Sequence, residues 1–295
     1  MPNSHIGVDV GGTKIAAGIV RGSHAVRVTT IPTPKTGRRE VVAAIVQLVK
    51  TLDGPRSTRV GIGIAGAVNA AKGIVYSSPN LPPDFKNVPL ARLVARAVRR
   101  PTRIENDAKC FALAEATLGA GRGKRIVAGF TLGSGIGFGI VMDGKILHGR
   151  GGIAGELGHT TVVEDGLPCS CGQRGHLESY ASGRSMTRLY RRLTGKTVNS
   201  FELERRAKDH EAAARRVVAY GAEILAIGLA NAMTTFNPDI IVLGGGLSRV
   251  PIYWRPAARR ASQLVPYRQF LPTPIVKAKF GSQAGLIGAA LVANT

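Results

Sequence analysis

A glycine-rich segment near the N-terminus carries groups suited to holding phosphate. The segment DVGGTK lies between two apolar runs and contributes Asp9, Gly11, Gly12, Thr13 and Lys14. Glycines at a turn leave backbone N–H groups open to phosphate oxygens, while the hydroxyl and the ammonium add a donor and a charge. The aspartate can hold a hydrated Mg²⁺. The segment therefore predicts a triphosphate-binding site. The alternative is an ordinary glycine hairpin that carries a surface lysine.

A second glycine turn, GSGIG at 133–137, repeats this pattern in the other half of the chain. Its candidate phosphate-binding residues are Gly133, Ser134 and Gly135. The spacing differs from the Walker pattern, which places four residues between its first glycine and the Gly-Lys pair. The tripeptide GIV recurs at equivalent places in the two hairpins, at 18–20 and 139–141. This recurrence indicates a duplicated architecture with one phosphate-binding hairpin per lobe.

The tripeptide END at 105–107 offers a candidate general base. It lies where a predicted strand meets a predicted helix. An aspartate at a strand end can accept the proton of a sugar hydroxyl as that oxygen attacks phosphorus, and Asp107 is placed for this role. Asn106 can hydrogen-bond neighbouring hydroxyls. The alternative is a helix N-cap, because Asn or Asp before Ala108 would cap the helix well.

Two cysteines and two histidines form the densest cluster of metal-binding side chains. The four residues are His159, Cys169, Cys171 and His176. Two thiolates and two imidazoles are the ligands that tetrahedral Zn²⁺ prefers, so a structural zinc is the economical interpretation. The alternative is a pair of reduced cysteines in a loop with two surface histidines. Glu156 and Glu178 frame the cluster, and fixed carboxylates there are good acceptors for the vicinal hydroxyls of a sugar.

Hydrophobic periodicity predicts the strands and helices that position these residues. Strands are predicted within 6–20 on both sides of the first glycine turn, and at 60–64, 103–107, 127–132, 138–142 and 240–243. Helices are predicted at 39–52, 90–98, 108–118, 211–236 and 281–292. The dipeptide Asp143-Gly144 predicts a tight hairpin, and Pro238 ends the longest helix. Strands therefore alternate with helices, as in α/β proteins.

Length and charge limit the fold and the partners. A chain of 295 residues with 44% hydrophobic residues is long enough for two packed lobes. Lys and Arg number 40 against 18 Asp and Glu, which gives a formal net charge of +22 at pH 7. The excess is scattered, and no basic stripe interleaved with aromatics accompanies it. A basic solvated surface is therefore favoured over a specific nucleic-acid surface.

The cysteine count and the apolar segments indicate the compartment. Three cysteines cannot build a disulfide framework, and the first thirty residues lack the pattern of a signal peptide. The longest apolar stretch, 126–142, is interrupted by glycines and is better explained by two strands than by a membrane span. We therefore expect a cytoplasmic protein with no membrane partner and no specific nucleic-acid partner.

Taken together, the motifs resemble those of the ROK family (repressor, open reading frame, kinase) across essentially the whole chain. The matching segments are DVGGTK (9–14), ENDA (105–108), LGSGIG (132–137), ELGH (156–159), CSCGQRGHLE (169–178), NPDIIVLGGG (237–246) and AGLIGAA (284–290). The sugar and zinc signature at 156–178 is the most specific of them. The last two segments resemble the family's adenosine segment and closing helix.

The resemblance implies the duplicated α/β fold of the hexokinase, Hsp70 and actin superfamily, which is ribonuclease H-like. Such a fold has two lobes with central mixed sheets and a cleft in which ATP and sugar meet. It implies a small lobe at 1–118, completed by a C-terminal helix near 281–295, and a large lobe at 119–280 that carries the zinc loop. It also implies a homodimer.

The resemblance assigns a role to each candidate residue. Asp107 would be the general base that deprotonates the 6-hydroxyl of the sugar, and Asp9 would help to position magnesium. The family's sugar contacts match Gly66, Asn80, Asn106, Asp107, Glu156, His159 and Glu178. Its nucleotide contacts match Asp9, Gly11, Gly12, Thr13, Lys14, Gly133, Ser134, Gly135, Gly244 and Gly245. ATP, Mg²⁺ and a structural Zn²⁺ are the implied cofactors.

Two residues depart from the family pattern. His176 stands where the family usually has a third zinc cysteine, so the site would hold two His and two Cys, a set that Zn²⁺ accepts. Lys109 stands where the family often has asparagine. Its cation, two residues from Asp107, either touches the phosphoryl donor or faces solvent.

The favoured reaction is the ATP-dependent phosphorylation of a hexose, most of all glucose. The segments SPNL (78–81) and NVPL (87–90) resemble the sugar segment of bacterial glucokinases. N-acetylglucosamine, N-acetylmannosamine, mannose and fructose, which other enzymes of the family phosphorylate, are alternative substrates, and the segment 182–190 resembles that of the N-acetylglucosamine kinases and fructokinases. A polyphosphate-dependent glucokinase and a sugar-responsive repressor are less favoured. A repressor of this family carries its DNA-binding domain before the first hairpin, and only five residues precede Ile6.

Overall fold

The computed structural model describes residues 4–52, 57–266 and 273–294 of the chain. Its strands are β1 (Ser4–Val10), β2 (Lys14–Arg21), β3 (His24–Pro32), β4 (Ser57–Ile64), β5 (Ala67–Asn69), β6 (Ile74–Ser77), β7 (Thr102–Asn106), β8 (Ile126–Leu132), β9 (Ile136–Met142), β10 (Lys145–Ile146), β11 (Ile240–Gly244) and β12 (Ile275–Lys277). Its helices are α1 (Arg38–Leu52), α2 (Leu90–Val98), α3 (Asp107–Thr117), α4 (Glu178–Ala181), α5 (Gly183–Thr194), α6 (Ser200–Lys208), α7 (Ala212–Phe236), α8 (Pro251–Leu264) and α9 (Ala284–Val292).

The first five-stranded sheet has the order β3-β2-β1-β4-β7. β1 pairs antiparallel with β2 and parallel with β4, and β4 pairs parallel with β7. Helices α1 and α9 pack against these strands, which explains why the apolar side chains of β1 are almost completely buried. The parallel strands β1, β4 and β7 end at the same edge of the sheet. The loops that follow them therefore lie at that edge as well.

Two helices of this region show how the sequence encodes burial. In α2, Leu90, Val94 and Val98 recur every four residues and form a buried stripe, while arginines occupy other positions. In α3, every residue from Ala108 to Glu115 is buried, so the helix lies inside the core. The buried Glu115 carboxylate is satisfied because it accepts hydrogen bonds from the backbone N–H groups of three later residues, Ala120, Lys279 and Phe280.

Helix α9 approaches the first sheet through small residues. It contacts β1 and β4, and a Cβ added to Gly61 of β4 would lie 1.7 Å from the carbonyl oxygen of Ala289. Only glycine fits at this crossing, because any side chain would collide with the helix backbone. The small-residue segment near the C-terminus is thus explained by close packing against β4.

The second five-stranded sheet repeats the order of the first, as β10-β9-β8-β11-β12. β11 runs parallel to β8 and to β12, with Gly244 opposite Thr131. β9 and β10 form an antiparallel hairpin whose turn residues, Asp143 and Gly144, have φ of 50° and 75°. The predicted tight hairpin is confirmed, and the repeated strand order agrees with the duplicated architecture.

The chain divides into two compact units. The first comprises Met1–Gly123, Gly139–Gly155 and Lys279–Thr295, and the second comprises Lys124–Phe138 and Glu156–Ala278. The C-terminal helix α9 thus belongs to the first unit. The loop that carries the two cysteines belongs to the second.

Helix α7 is the longest element of the second unit. By length and composition it alone among the described helices could cross a membrane, yet 67% of its most apolar stretch is buried inside the protein. It packs against α4, α5, α6 and α8. These contacts are those of a core helix.

The sequence predictions locate most of the elements that carry the motifs. The first hairpin, α1, α2, β7, α3, β8, α7, β11 and α9 are confirmed within a few residues. β9 begins at Ile136, within the segment predicted as a turn. Strand β3 and helices α5, α6 and α8 were not predicted. α8 contains Pro256, which disfavours a helix interior, and α5 buries only Gly183, Met186 and Tyr190, a short apolar pattern.

Candidate active site

The tip of the first hairpin lies at the carboxyl edge of the first sheet. The Gly11 N–H donates to the Lys14 carbonyl at 3.0 Å, which closes the turn between β1 and β2. The side chains of Thr13 and Lys14 are exposed. A Cβ on Gly12 would lie 2.7 Å from the Cβ of Asn80, so the predicted phosphate segment and this predicted sugar residue are direct neighbours.

Two residues that lie in none of the predicted motifs form hydrogen bonds to the backbone of this glycine turn. The Thr33 hydroxyl donates to the Gly11 carbonyl at 2.7 Å, and the Lys35 ammonium donates to the Gly12 carbonyl. The same ammonium lies 3.5 Å from the Asn80 carbonyl oxygen. Both residues follow β3 and belong to no motif, so only the fold could identify them. Their hydrogen bonds to the Gly11 and Gly12 carbonyls hold the backbone of the glycine turn in place.

Two acidic side chains of the first unit influence each other. Burial and, to a smaller extent, the neighbouring Asp107 carboxylate raise the pKa of Asp9, Lys14 acts in the opposite direction, and the net pKa is about 6. Asp9 also lies against the start of α9, since a Cβ on Gly285 would be 2.7 Å from its Oδ2 atom. Two carboxylates that repel each other in a buried place are a setting in which a divalent cation is favoured.

The END segment forms the junction between β7 and α3. Asn106 is the N-cap, because its side-chain oxygen accepts the N–H groups of Ala108 at 3.0 Å and of Lys109 at 3.2 Å. Its amide nitrogen donates to the Gly66 carbonyl at 3.1 Å. The capping interpretation therefore holds for Asn106. Asp107 is the first helical residue, and its Oδ1 atom accepts the Ala108 N–H at 2.9 Å.

The side chain of Lys109 lies inside the protein. Its side chain is 1% exposed, and its ammonium donates to the Gly152 carbonyl at 2.5 Å. A buried cation held by a backbone carbonyl is a structural contact inside the first unit. Of the two alternatives for Lys109, the one in which it faces solvent is wrong, because the residues of α3 from Ala108 to Glu115 are buried.

In the second unit, Glu178 contacts the second glycine turn. Its Oε2 atom accepts the Ile136 N–H at 2.9 Å, and a Cβ on Gly135 would lie 2.5 Å from that oxygen. The other oxygen lies 3.4 Å from the Ser170 hydroxyl. The structure thus brings together the second predicted phosphate turn and a predicted sugar residue. Ser134, at the tip of the turn, is exposed.

The glycines that follow β11 lie beside the same turn. Gly245 has φ of 79°, and a Cβ there would lie 2.4 Å from the Leu132 carbonyl oxygen. Gly244 is the last residue of β11, next to β8. Because parallel strands end at one edge, Gly133 and the Gly244–Gly245 pair lie together. This is the arrangement expected of a nucleotide-binding edge.

Glu156 precedes a short 3-10 turn at Leu157–His159, and His159 is the last residue of that turn. The His159 N–H donates to the Glu156 carbonyl at 2.9 Å. The Glu156 residue is exposed, and His159 is half-buried. The turn directs His159 toward the cysteine loop, whose Cys169 sulfur lies 3.5 Å from the His159 Nδ1 atom.

The four predicted metal ligands are gathered at one place. One ligand atom from each of His159, Cys169, Cys171 and His176 lies within 4.8 Å of the others. The Cys171 sulfur is 3.2 Å from the His176 Nδ1 atom. Two sulfur and two nitrogen donors at such separations fit the tetrahedral set that Zn²⁺ prefers. His176, the residue that departs from the family pattern, points into the cluster with the other three.

The cluster also favours a thiolate. Burial raises the pKa of Cys169, but hydrogen bonds from the Cys171 backbone, Ser179, the Cys171 thiol and His159 outweigh burial and lower that pKa to about 6. Burial raises the pKa of Cys171. A thiol that ionises near neutrality is ready to bind a metal.

Comparisons with known proteins identify the family and the fold. A family model described as ROK family matches residues 5–295. An N-acetyl-D-glucosamine kinase of Pectobacterium atrosepticum is 36% identical over 302 residues, which cover 98% of each chain. A ROK hexokinase of Thermus thermophilus superposes with a TM-score of 0.88 at 35% identity, covering 99% of this chain and 98% of the other.

A second solved structure carries ligands. A ROK family glucokinase of Streptomyces griseus, in complex with glucose and AMPPNP, superposes with a TM-score of 0.86 at 32% identity over 99% of both chains. The fold described above is therefore that of the ROK hexokinases. Since the family match covers nearly the whole chain and kinases are among relatives more than 30% identical, this protein belongs to the ROK family and is a sugar kinase.

Proposed function

We propose that the protein transfers the γ-phosphoryl group of ATP to the 6-hydroxyl of a hexose, and that glucose is the favoured substrate. The observation that carries this proposal is the placement of Asp107 at the first position of α3, beside a second carboxylate, Asp9. A carboxylate at the end of a sheet, next to a cation site, suits phosphoryl transfer. The segments at 78–81 and 87–90, which resemble those of glucokinases, favour glucose.

In this mechanism Asp107 is the general base. Its carboxylate takes the proton of the sugar 6-hydroxyl as that oxygen attacks the γ-phosphorus, and the bond to the β-γ bridging oxygen breaks to release ADP. The Ala108 N–H donates to its Oδ1 atom and thereby holds the carboxylate at the start of α3. Mg²⁺, when bound, would neutralise charge developing on the phosphates. Asp9 would help to hold it, and the burial and the Asp107 charge that raise the pKa of Asp9 are what the cation would offset.

The sugar contacts proposed on the first unit are Gly66, Asn80, Asn106 and Asp107. The geometry defines what Asn106 can offer. Its oxygen is used twice in capping, and one amide hydrogen is used on the Gly66 carbonyl. One amide hydrogen remains, so Asn106 would act as a donor to a sugar hydroxyl. On the second unit the proposed sugar contacts are Glu156, His159 and Glu178.

The proposed nucleotide contacts also lie on both units. On the first they are Asp9, Gly11, Gly12, Thr13 and Lys14. On the second they are Gly133, Ser134, Gly135, Gly244 and Gly245. The glycine turns offer backbone N–H groups to phosphate oxygens, and Lys14 adds a cation. The glycines after β11 would let a flat base approach the backbone, a feature that a donor without a base would not need.

We propose a structural zinc at His159, Cys169, Cys171 and His176. The four donors fit the ion in type and separation. Zinc there would fix the loop that contacts α4, where the Ser170 hydroxyl lies near Glu178 and the Ser179 hydroxyl donates to the Pro168 carbonyl. We also propose a homodimer, which light scattering on the purified protein tests.

A coupled ADP-release assay with a panel of sugars tests the proposed function. The panel contains glucose, N-acetylglucosamine, N-acetylmannosamine, mannose and fructose, and the product is identified as a 6-phosphate by NMR. We expect the highest kcat/KM for glucose. A higher value for an N-acetylated sugar would assign the alternative substrate, and no ADP release with any sugar would contradict the proposal.

Polyphosphate serves as the second donor in the same experiment. A net charge of +22 attracts polyanions, but this attraction is screened over about 8 Å at physiological salt and builds no donor site. We therefore expect a higher kcat/KM for ATP than for polyphosphate. The reverse order would show that the basic surface, and not the glycines after β11, defines the donor.

A further inference from the structure

Glu105 is a buried carboxylate directly before the residues proposed to bind and deprotonate the sugar. It is 1% exposed. One oxygen accepts the Asn106 N–H at 2.8 Å, and the other lies 2.5 Å from the Nε2 atom of His148. A buried carboxylate is tolerated when its oxygens are hydrogen-bonded. These two contacts therefore hold the Glu105 carboxylate, and with it the backbone of residues 105–107, in one position.

The contact with His148 assigns the position of a proton. A carboxylate can only accept hydrogen bonds, so the Nε2 atom of His148 carries the hydrogen and donates it. The imidazole itself is 44% exposed, whereas the Glu105 side chain is 2% exposed. His148 thus covers a buried charge from the surface of the first unit.

A second contact joins the same two segments. The Lys109 ammonium donates to the Gly152 carbonyl, and the Ala154 N–H donates to the His148 carbonyl at 3.0 Å, which folds the segment 148–154 back on itself. The β7–α3 junction is thus held on each side of Asp107, at Glu105 and at Lys109. Neither His148 nor Gly152 belongs to a motif that the sequence analysis identified.

We propose that Glu105 is a positioning residue for phosphoryl transfer and that His148 anchors it. The pair fixes the backbone of Asn106 and, through it, the direction of the Asp107 carboxylate. This inference rests on the proposed roles of Asn106 and Asp107. A small displacement of a reacting group can lower a rate by about a hundredfold. Loss of the contact between His148 and Glu105 should therefore lower kcat.

Three substitutions of His148 separate positioning from packing. The glutamine amide reaches about as far as Nε2, whereas the asparagine amide reaches only as far as Nδ1. We expect His148→Ala and His148→Asn to lower kcat about tenfold, with the KM for ATP unchanged within twofold. We expect His148→Gln to restore kcat to within about threefold of the original. His24→Ala, which removes an exposed histidine of the same unit, is the control and should change kcat less than twofold.

The coupling to Glu105 is measured in a double-mutant cycle. In the Glu105→Gln background, His148→Ala should lower kcat less than about threefold, because its partner has already changed. An equal loss in both backgrounds would overturn the proposal, and so would a His148→Ala enzyme with kcat within twofold of the original. If His148→Ala fails to fold, the comparison of His148→Asn with His148→Gln decides the question, since both are polar and differ by one methylene.

Asp107→Asn, measured in parallel, distinguishes the two hypotheses. If it retains more than a tenth of the turnover, the proposed base is wrong whatever His148 does. If it loses turnover about a hundredfold while all His148 variants remain unchanged, only the positioning role is wrong.

Discussion

The carboxylate of Glu178 accepts a hydrogen bond from the backbone N–H of Ile136 at 2.9 Å. The first residues of β9, which follow the second glycine turn, are therefore fixed by the residue that begins α4. Glu178 contacts Gly135 of that turn as well. A residue proposed for the sugar and a turn proposed for the nucleotide are thus in direct contact in the second unit.

Gly135→Ala tests this relationship. The added Cβ would lie 2.5 Å from the Glu178 Oε2 atom, so the carboxylate or the turn must shift. We expect kcat/KM for the sugar to fall at least about tenfold. Gly133→Ala is the matched comparison in the same turn, because its Cβ would meet no heavy atom within 4 Å. Equal losses for the two variants would show that contact with Glu178 is not what makes Gly135 necessary.

Metal removal tests the cysteine and histidine cluster. Purified protein should contain about one zinc per chain, and chelation should raise the KM for the sugar because His159 follows the sugar residue Glu156 in a short turn. His176→Ala should lose the metal, whereas His176→Cys should keep it. His210→Ala, at an exposed histidine of the same unit, is the control. Zinc-free protein with an unchanged KM would leave these histidines without a metal role.

Asp9 makes stability depend on pH in a direction opposite to that of most carboxylates. Its pKa is raised to about 6 in the folded protein, so between about pH 4 and 6 the folded state binds more protons than the unfolded state. The free energy of unfolding contributed by Asp9 is therefore lost as pH rises through this window. Without Mg²⁺ at pH 7.5, we expect Asp9→Asn to stabilise the protein by up to about 3 kcal/mol.

Urea denaturation at pH 4.5 and 7.5 measures this effect. The difference between Asp9→Asn and the original protein should be large at pH 7.5 and small at pH 4.5. Asp143→Asn, which makes the same chemical change at the exposed β9–β10 turn, is the control. A destabilised Asp9→Asn protein at pH 7.5 would contradict burial of an uncompensated charge.

The motif-bearing elements could be predicted because their local patterns are strong. Asp9 precedes a glycine turn between apolar strands, and Asn106 stands where a strand gives way to a helix, so both positions follow from neighbouring residues. That His159 and His176 lie together was predicted from the nitrogen and sulfur ligands that zinc prefers.

The supporting contacts could not be predicted, since they depend on long-range packing. Thr33 and Lys35 reach the glycine turn only because β3 folds back along β2. Lys109 is charged and two residues from Asp107, which suggests an exposed cation until helix α3 is seen to be buried on all sides. His148 meets Glu105 across 43 residues of sequence, and no local pattern indicates that contact.

The turnover of Asp107→Asn with glucose and MgATP tests the account most directly. The amide keeps the size of the carboxylate and can still accept the Ala108 N–H, so folding and glucose binding should be nearly unchanged. It cannot take the proton of the 6-hydroxyl. We expect kcat to fall at least about a hundredfold. A variant that retains more than a tenth of the original kcat would contradict the account and leave Asp107 only a structural role at the start of α3.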